Sequence, residues 1–244
     1  ALLWYRRFYP CIDRDQFELF VYANNEREDE LKADFEAFAT WRGIFGKKED
    51  EVAAQIGADR IDILLDLSGH TKGNRLGVLA LRSAPVQASV FAYPNTTGMA
   101  AIDYRISDLI ADPSGSEGLH SEALMRLPRG AWCYAPDPSM PDVAPTPYGD
   151  VGFVTFGCFN RVAKVSAACL KTWSRILNRL PRAELLLKTK DSEDPLVRKR
   201  IQRTFKKAGI EATRVQLVDW EETIEDHLGC YQAVDIALDT FPHN

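Results

Sequence analysis

The chain has 244 residues, of which 45% are hydrophobic and 27% charged, and its formal net charge is −5. This composition is typical of a globular protein, and the negative balance argues against nucleic-acid binding through bulk electrostatics. The five cysteines are scattered without a C-x-x-C pair, which excludes a disulfide framework and a cysteine-rich zinc site. No apolar run reaches the length of a transmembrane helix. We therefore expect a cytoplasmic protein with no nucleic-acid or membrane partner.

The first half alternates apolar strands with amphipathic helices. A buried strand is predicted at Phe17–Ala23, and further strands at 41–45, 61–67, 84–92, 102–107 and 123–127. Helices are predicted between them, at Glu30–Thr40, Glu49–Gly57 and Leu76–Leu81. Strands that alternate with helices in this way are typical of a parallel α/β sheet.

Two polar loops follow strands of this first half. Ser68–Arg75 contains two glycines, His70, Lys72 and Arg75, which suits a ligand crevice at the carboxyl end of a strand. The alternative is that His70 is a structural loop residue and that Lys72 and Arg75 are surface charges. The second loop, Tyr93–Gly98, is dense in turn residues.

A proline-rich segment separates the two halves. Residues 128–150 contain six prolines, at positions 128, 136, 138, 141, 145 and 147. Such a stretch cannot form regular structure, and it is typical of an ordered interdomain linker. We therefore predict an N-terminal domain at 1–127, a linker at 128–150 and a C-terminal domain at 151–244.

The second half repeats the alternation of strands and helices. Strands are predicted at 153–156, 183–188, 215–217 and 234–238. A helix at Ala167–Leu180 follows Ser166 as its N-cap, and a basic helix at Pro195–Ala208 ends at Gly209. A third helix is predicted at Ile224–Ala233. The charges of the basic helix are most simply a solvated face.

The stretch Val151–Ser166 connects a strand to a helix through a polar loop. Asn160, Arg161 and Lys164 lie in this loop, just before the helix begins. Helix N-termini and lysine together favour phosphate groups, so the loop is a candidate anion site. The alternative is a solvated loop with two ordinary surface cations.

Five stretches together resemble one family. They are Ile61–Arg75 (IDILLDLSGHTKGNR), Ala80–Gly98 (ALRSAPVQASVFAYPNTTG), Ile102–Asp108 (IDYRISD), Gly152–Lys164 (GFVTFGCFNRVAK) and Val234–Asn244 (VDIALDTFPHN). They resemble the catalytic region of protein O-GlcNAc transferases, including bacterial relatives and the related Spindly O-fucosyltransferases. The resemblance runs from about Phe17 to the last residue.

The resemblance implies an α/β fold of the GT-B type, in which two Rossmann-like domains face a cleft that holds the nucleotide sugar. It implies an inverting glycosyltransferase that moves GlcNAc from UDP-GlcNAc to Ser or Thr hydroxyls of a protein or peptide acceptor. No metal or other cofactor is expected. Family members usually carry tetratricopeptide repeats ahead of the catalytic region, through which oligomers or partner contacts could form.

The resemblance also assigns residues. Lys164 matches the lysine that the family uses on the donor diphosphate, where a cation neutralises the charge of the leaving group. His227 matches a histidine near the nucleotide base. The other positions matched to the donor site are Asn160, Arg161, Tyr93, Pro94, Thr96, Thr97, Gly98, His243 and Asn244. His70 is the candidate general base, as the one histidine of the crevice in the first half.

Three departures from the family pattern keep other functions open. Arg161 stands where the family often has Gln or Asn, and Ala92 and Asn95 stand where it usually has Gly. A donor other than UDP-GlcNAc, such as GDP-fucose, is one alternative. A catalytically degenerate scaffold or binding module is the other.

The two ends of the sequence lead to one further expectation. The family's Asp-Phe-x-x-His region would precede Ala1, and its Gly-Thr-Thr segment and ribose-binding acid would follow Asn244. The second domain would then be truncated, because the last predicted strand has no helix after it. We expect the 244-residue piece alone to be inactive as a transferase.

Overall fold

The computed structural model describes residues 8–26, 31–90, 93–132, 140–221 and 223–242. The chain divides into two compact units, Ala1–Ala135 and Pro136–Asn244. This boundary falls inside the proline-rich segment that the sequence marks as a linker. Both units combine parallel strands with helices, so the predicted α/β class is confirmed.

The first unit is built on two parallel sheets. Strands β3 (Ile63–Asp66), β4 (Val86–Val90), β5 (Tyr104–Asp108) and β6 (Ala123–Leu127) form one sheet in that order. Strands β1 (Phe20–Ala23) and β2 (Thr40–Gly43) pair with each other in a separate sheet. The prediction of one sheet that continues through all these strands is therefore wrong for β1 and β2.

The helices of the first unit are α1 (Leu31–Glu36), α2 (Glu49–Ala58) and α3 (Leu76–Ala80). The sequence predicted that α1 continues to Thr40, which is wrong. The Ala39 amide closes the last turn on Phe35, and the next amide, of Thr40, donates to Leu19 O at 2.8 Å. The chain therefore leaves the helix to pair with β1.

Burial along β1 also differs from the sequence prediction. Ala23 is the one buried residue of β1, and Phe17, which precedes the strand, is 51% exposed. The reason is that, among the described residues, β1 pairs with β2 alone and so lies at the edge of a two-stranded sheet. Apolar burial in this part of the chain is instead provided by Phe35 on α1, which is fully buried.

Arg75 has a structural role that the sequence did not reveal. Its guanidinium group donates to Asn24 Oδ1 at 3.2 Å and to the carbonyl oxygens of Ile44 and Lys47 at 3.3 and 2.8 Å. It also pairs with Glu49 at 3.2 Å. Arg75 thus ties the loops around β2 and α2 to the start of α3, and these contacts engage all three of its guanidinium nitrogens.

The second unit contains one parallel sheet of four strands. They are β7 (Thr155–Cys158), β8 (Glu184–Lys188), β9 (Val215–Val218) and β10 (Ile236–Ala237), in the order β10-β7-β8-β9. Gly157 lies inside β7, and a Cβ there would come within 2.5 Å of Val234 Cγ2. Glycine is therefore required at this position to let the chain before β10 pack against β7.

The helices of the second unit are α4 (Tyr148–Val151), α5 (Ala167–Arg179), α6 (Pro195–Lys207) and α7 (Ile224–Gly229). The predicted cap of α5 is confirmed, because Ser166 Oγ accepts from the Cys169 amide at 3.1 Å. The predicted end of α6 is also confirmed, since Gly209 has a φ of +78°. The helix predicted up to Ala233 is shorter, because Cys230–Ala233 tightens into a 3₁₀ turn.

The proline-rich segment is not entirely irregular. Its end forms the short helix α4, whose first amide, that of Tyr148, donates to Asp235 Oδ1 at 2.9 Å. The prediction of no regular structure up to Asp150 is therefore wrong at this end. A proline at the start of a helix costs little because its missing N–H would be unpaired there.

The core of the second unit lies between the sheet and the helices α5 and α6. Trp173, Leu177, Leu185 and Phe205 belong to it, each at most 2% exposed. In the described residues, no helix is long and apolar enough to cross a membrane.

We predict that Trp173→Ala lowers the free energy of unfolding of the second unit by about 3–5 kcal/mol, because a large buried ring leaves a cavity. Urea unfolding followed by circular dichroism measures it. Lys171→Ala on the exposed side of the same helix is the control and should change stability by less than about 0.5 kcal/mol. Equal effects of the two substitutions would contradict this account of the core.

Candidate functional site

The carboxyl ends of β7, β8 and β9 lie at one edge of the second sheet, because the three strands are parallel. Ligands of α/β proteins bind at this edge. Phe159 to Lys164 follow β7 there, Lys188 ends β8, and Trp220 follows β9 closely. Helix α7 adds His227 and, just after it, Cys230 and Tyr231.

Arg161 and Lys164 frame a tight turn between β7 and α5. The turn Val162–Lys164 is a 3₁₀ helix, closed by the Lys164 amide on Arg161 O at 2.9 Å. Arg161 is exposed and Lys164 half-buried, and neither pairs with a carboxylate of the described residues. Two residues later Ser166 caps α5, a helix of 13 residues. Two uncompensated cations beside a helix N-terminus can hold an anion.

Asn160 lies between this turn and the neighbouring strand. Its Nδ2 is 3.5 Å from Asp239 Oδ1, beyond the end of β10. Asn160 thereby connects the loops that follow two adjacent strands. His243 and Asn244, which the sequence placed at the donor, lie outside the described residues.

His227 sits in a cluster of aromatic side chains. Its ring stacks on Trp220, with centroids 5.2 Å apart and planes 29° apart, and it meets Phe159 and Tyr231 edge-on, each at 6.0 Å. Its Nδ1 is buried without a hydrogen-bond partner in the described part of the chain. Burial and the nearby Lys188 ammonium group lower the pKa of His227. The ring is therefore neutral at physiological pH and suits a flat, uncharged ligand.

Lys188 belongs to the same cluster, although the sequence gave it no role. The side chain is fully buried, and Nζ donates to Cys230 Sγ at 3.1 Å. Nζ also lies 6.0 Å from the ring centre of Phe159 and 5.9 Å from that of Trp220. The one sequence signal was a lysine at the end of an apolar strand, which is also the usual pattern of a strand that ends in solvent.

His70 lies in the first unit, after β3. Its Nε2 is 2.8 Å from Thr97 O, and its ring meets Tyr93 edge-on at 5.3 Å. A carbonyl oxygen only accepts, so Nε2 carries the proton and Nδ1 is left as the basic atom. This is the orientation that a general base needs. His70 stays a candidate for that role, on an exposed side chain.

Gly69 makes the position of His70 possible. Its φ is +49°, and a Cβ would lie only 2.2 Å from Tyr93 Cβ. Its amide donates to the buried Asp66 at 2.8 Å, and the Ser68 amide donates to the same carboxylate at 3.2 Å. Burial raises the pKa of Asp66 despite these two bonds. Any side chain at position 69 would push Tyr93 away from His70.

Glu122 anchors the loop Tyr93–Gly98 through hydrogen bonds to its carboxylate. The hydroxyl groups of Thr96 and Thr97 and the Thr97 amide all donate to its carboxylate. Burial by itself raises the pKa of Glu122, but these bonds outweigh it and bring the pKa to about 2. Thr96 and Thr97 were predicted to contact the donor. In the structure their hydroxyl groups instead donate hydrogen bonds to Glu122, which anchors the loop.

Arg105 holds the same loop through its backbone. Its guanidinium group donates to Tyr93 O and Asn95 O, each at 3.0 Å, and pairs with Asp112 at 3.0 Å. His120 Nε2 lies 3.2 Å from the other oxygen of Asp112. No site role was predicted from the sequence for Arg105, Asp112, His120 and Glu122. Charged residues inside or beside short strands, such as Arg105 in β5 and Glu122 before β6, were the sequence feature that could have indicated these roles.

The other residues of this loop are at its surface. Pro94, Asn95 and Gly98 are exposed. Asn95 Oδ1 accepts from the Thr96 amide at 2.8 Å, so this side chain folds back onto its own turn. Ala92, the departure that immediately precedes this loop, lies outside the described residues.

Comparison with known proteins decides the family. The family model described as glycosyl transferase family 41 matches residues 9–134, more than half of the chain. The chain belongs to glycosyl transferase family 41.

Members of this family from several sources are similar to the chain. The SPINDLY protein of Solanum lycopersicum, a probable UDP-N-acetylglucosamine–peptide N-acetylglucosaminyltransferase, is 44% identical over 203 residues, covering 83% of this chain and 22% of that protein. The SEC protein of Arabidopsis thaliana, with the same enzyme name, is 32% identical over 72% of this chain and 19% of its own length. The chain thus spans about a fifth of the curated relatives that it matches.

A solved structure supports the fold of this family 41 chain. A lysine-to-methionine mutant of the Thermobaculum terrenum O-GlcNAc transferase matches it with a TM-score of 0.91 and 36% identity, over 98% of this chain and 45% of that one. The predicted GT-B type, with two Rossmann-like domains, is confirmed by this likeness.

We predict that Glu122→Gln destabilises the first unit of this family 41 protein by about 1–3 kcal/mol at pH 7, because an amide cannot accept from all three donors. The folded pKa of about 2 lies below the ordinary 4.5, so the stabilisation is complete above pH 4.5 and is lost as the pH falls towards 2. Urea unfolding at several pH values should show the two proteins converging in this window.

The control for this experiment is Glu18→Gln, on an exposed residue outside the loop. It should leave both the stability and its pH dependence unchanged. A constant difference between wild type and Glu122→Gln from pH 7 to pH 2 would mean that the Glu122 charge does not hold the loop.

Proposed function

We propose that this chain is part of the catalytic region of a glycosyltransferase that moves GlcNAc from UDP-GlcNAc to Ser or Thr hydroxyls of proteins, with inversion. Its membership of family 41 and the printed names of its relatives support this proposal. The structural observation that carries it is the pair of cations Arg161 and Lys164 at the N-terminus of α5, which pair with no carboxylate of the described residues.

The chemistry explains why such a site is needed. When the acceptor oxygen attacks the anomeric carbon, the bond from that carbon to the diphosphate breaks and negative charge develops on the leaving oxygen. A preorganised cation stabilises this charge without rearranging solvent. Lys164, in the turn before α5, and the backbone amides at the start of that helix are groups of this kind. Arg161 adds a second positive charge at the same turn.

The aromatic cluster of the second unit supports a nucleotide as the leaving group. Phe159, Trp220, His227 and Tyr231 lie at the same sheet edge as the two cations. Aromatic faces stack on nucleobases at a favourable free energy of about 1–3 kcal/mol per base. A phosphate site and a stacking site at one sheet edge fit a nucleoside diphosphate.

The acceptor hydroxyl must lose its proton during the transfer. His70 is our candidate for the general base in the first unit, because its Nε2–H is held by Thr97 O and its Nδ1 can accept a proton. We also propose that the reaction needs no metal. Among the described residues there is no group of three His, Cys, Asp or Glu side chains arranged to hold an ion.

Cellular location is a further part of the proposal. We propose a cytoplasmic protein, since Cys158, Cys169 and Cys230 are free thiols. Free thiols persist where the environment is reducing.

We predict that Lys164→Met in the full-length protein lowers the turnover of UDP-GlcNAc by about 10²–10³-fold, the usual scale for removing one preorganised charge. Transfer of labelled sugar to a peptide acceptor measures it. Lys206→Met, at the exposed end of α6, is the matched control and should keep wild-type turnover. If Lys164→Met also kept wild-type turnover, the proposal that Lys164 binds the diphosphate would be wrong.

The same assay separates the two alternative functions. If the wild-type protein transfers sugar from GDP-fucose but not from UDP-GlcNAc, the proposed donor is wrong and the proposed reaction, glycosyl transfer, still holds. If the protein neither transfers sugar nor binds a nucleotide, the alternative of a scaffold or binding module is favoured over an enzyme.

We further predict that His70→Asn lowers turnover by about 10²–10⁴-fold and leaves the affinity for UDP unchanged. Asparagine keeps an N–H group that can donate to Thr97 O, so the loop stays anchored while the basic nitrogen is removed. Turnover and UDP affinity are measured on the same preparation. Turnover at the wild-type level would exclude His70 as the base.

A further inference from the structure

Lys188 is a buried cation that has no matching anion among the residues that the structure describes. Its side chain is fully buried at the end of β8, between the neighbouring strands β7 and β9. The one polar contact of Nζ is the thiol of Cys230 at 3.1 Å, and no carboxylate of the described residues forms an ion pair with it. A thiol is a weak acceptor. Since an uncompensated charge is costly to bury, its retention at this edge calls for a partner.

The aromatic neighbours of Lys188 compensate its charge only in part. Nζ lies at about 6 Å from the ring centres of Phe159 and Trp220, which is the outer limit of a cation–π contact. Lys190 lies closer to the Trp220 ring, at 4.4 Å, but it is exposed to water. The two lysines therefore share one ring, and only Lys188 lacks access to solvent.

His227 gives a second and independent indication of a ligand. Its Nδ1 is buried and has no hydrogen-bond partner in the described chain. Burial and Lys188 lower the pKa of the ring, so this nitrogen belongs to a neutral imidazole. A native structure rarely leaves a buried polar atom unpaired unless a water or ligand fills the need.

The unpaired groups and the aromatic walls together describe the missing partner. A flat partner is favoured, because the rings of Phe159 and Trp220 lie near Lys188 and both contact the ring of His227. It carries an oxygen that accepts from the ammonium group. Uracil and guanine fit, because each presents a carbonyl oxygen next to a ring N–H. Cytosine and adenine carry an amino group at the same place, whose hydrogens would face the ammonium group.

We propose that Lys188 is a specificity-determining residue that donates to the carbonyl oxygen of the donor's base, so that uracil or guanine is accepted and cytosine and adenine are rejected. This inference rests on the proposed function, because it requires a nucleotide at the carboxyl edge of the second sheet. It assigns the selection of the base to a side chain other than the cations that bind the diphosphate.

Calorimetric titration of the full-length protein with UDP, CDP, GDP and ADP tests the inference. In the wild type, we expect UDP to bind at least about 10-fold more tightly than CDP, or GDP than ADP, because the wrong base leaves the buried cation unpaired. Lys188→Met should lower the affinity for the preferred diphosphate, UDP or GDP, by about 10–100-fold. The affinity for the corresponding diphosphate with an amino group on its base, CDP or ADP, should change by less than about 3-fold.

Two controls separate this effect from general damage. Lys190→Met removes the exposed lysine from the same Trp220 ring and should keep the wild-type preference. The melting temperature of Lys188→Met without ligand should equal or exceed that of the wild type, because an apolar side chain replaces a buried charge. If that variant does not fold, the comparison of the four diphosphates in the wild type decides the question.

The outcomes distinguish this inference from the proposed function. A wild type that binds none of the four diphosphates would overturn the proposed function and the inference with it. A wild type that binds UDP and CDP equally and GDP and ADP equally would overturn the role of Lys188 and leave the transferase proposal standing. If Lys188→Met keeps the wild-type preference for UDP over CDP, or for GDP over ADP, the role of Lys188 is likewise overturned and the transferase proposal still stands.

Discussion

Parallel strand pairing is the constraint on which both units depend. Each strand of the two four-stranded sheets runs in the same direction as its neighbours. All segments that follow the strands of one sheet therefore emerge at one edge, and the chain returns to the other edge before each new strand. This places His70 and the Tyr93–Gly98 loop at one edge in the first unit. In the second unit it brings Lys164, Lys188 and Trp220 to one edge.

Compensation of buried charge differs between the two units. In the first unit, Glu122 receives three hydrogen bonds and Arg105 is paired with Asp112 and two carbonyl oxygens. These charges are matched within the chain, and their effect is to fix the shape of a loop. In the second unit, Lys188 and the Nδ1 of His227 are buried without such partners in the described part of the chain. Matched groups stabilise the fold, whereas unmatched groups indicate where a ligand belongs.

The division of roles among the cations follows from their surroundings. Arg161 and Lys164 are accessible at a helix N-terminus, where a multiply charged phosphate can reach them. Lys188 is buried about 6 Å from the ring centres of Phe159 and Trp220, where a flat base fits better than a phosphate. Arg75, which the sequence placed in a candidate ligand loop, is instead bound to its own chain through all three guanidinium nitrogens. Identical charge in the sequence thus leads to three different roles.

The sequence by itself determined the local elements and the family. Strand β6 at Ala123–Leu127, the Ser166 cap of α5 and the Gly209 end of α6 were predicted at the residues where they occur. These features depend on propensities and hydrogen bonds within a few residues. Long motifs such as Ile61–Arg75 were sufficient to recognise a family 41 glycosyltransferase.

Only the tertiary structure decided which polar residues are buried and what they contact. Thr97 meets Glu122 across 25 positions, and Lys188 meets Cys230 across 42. The separate pairing of β1 with β2 likewise depends on contacts between distant residues. A lysine at the end of an apolar strand has the same sequence pattern whether water or a ring of aromatic side chains surrounds it. The reason is that burial is a property of packing between elements, which the order of residues within one element does not contain.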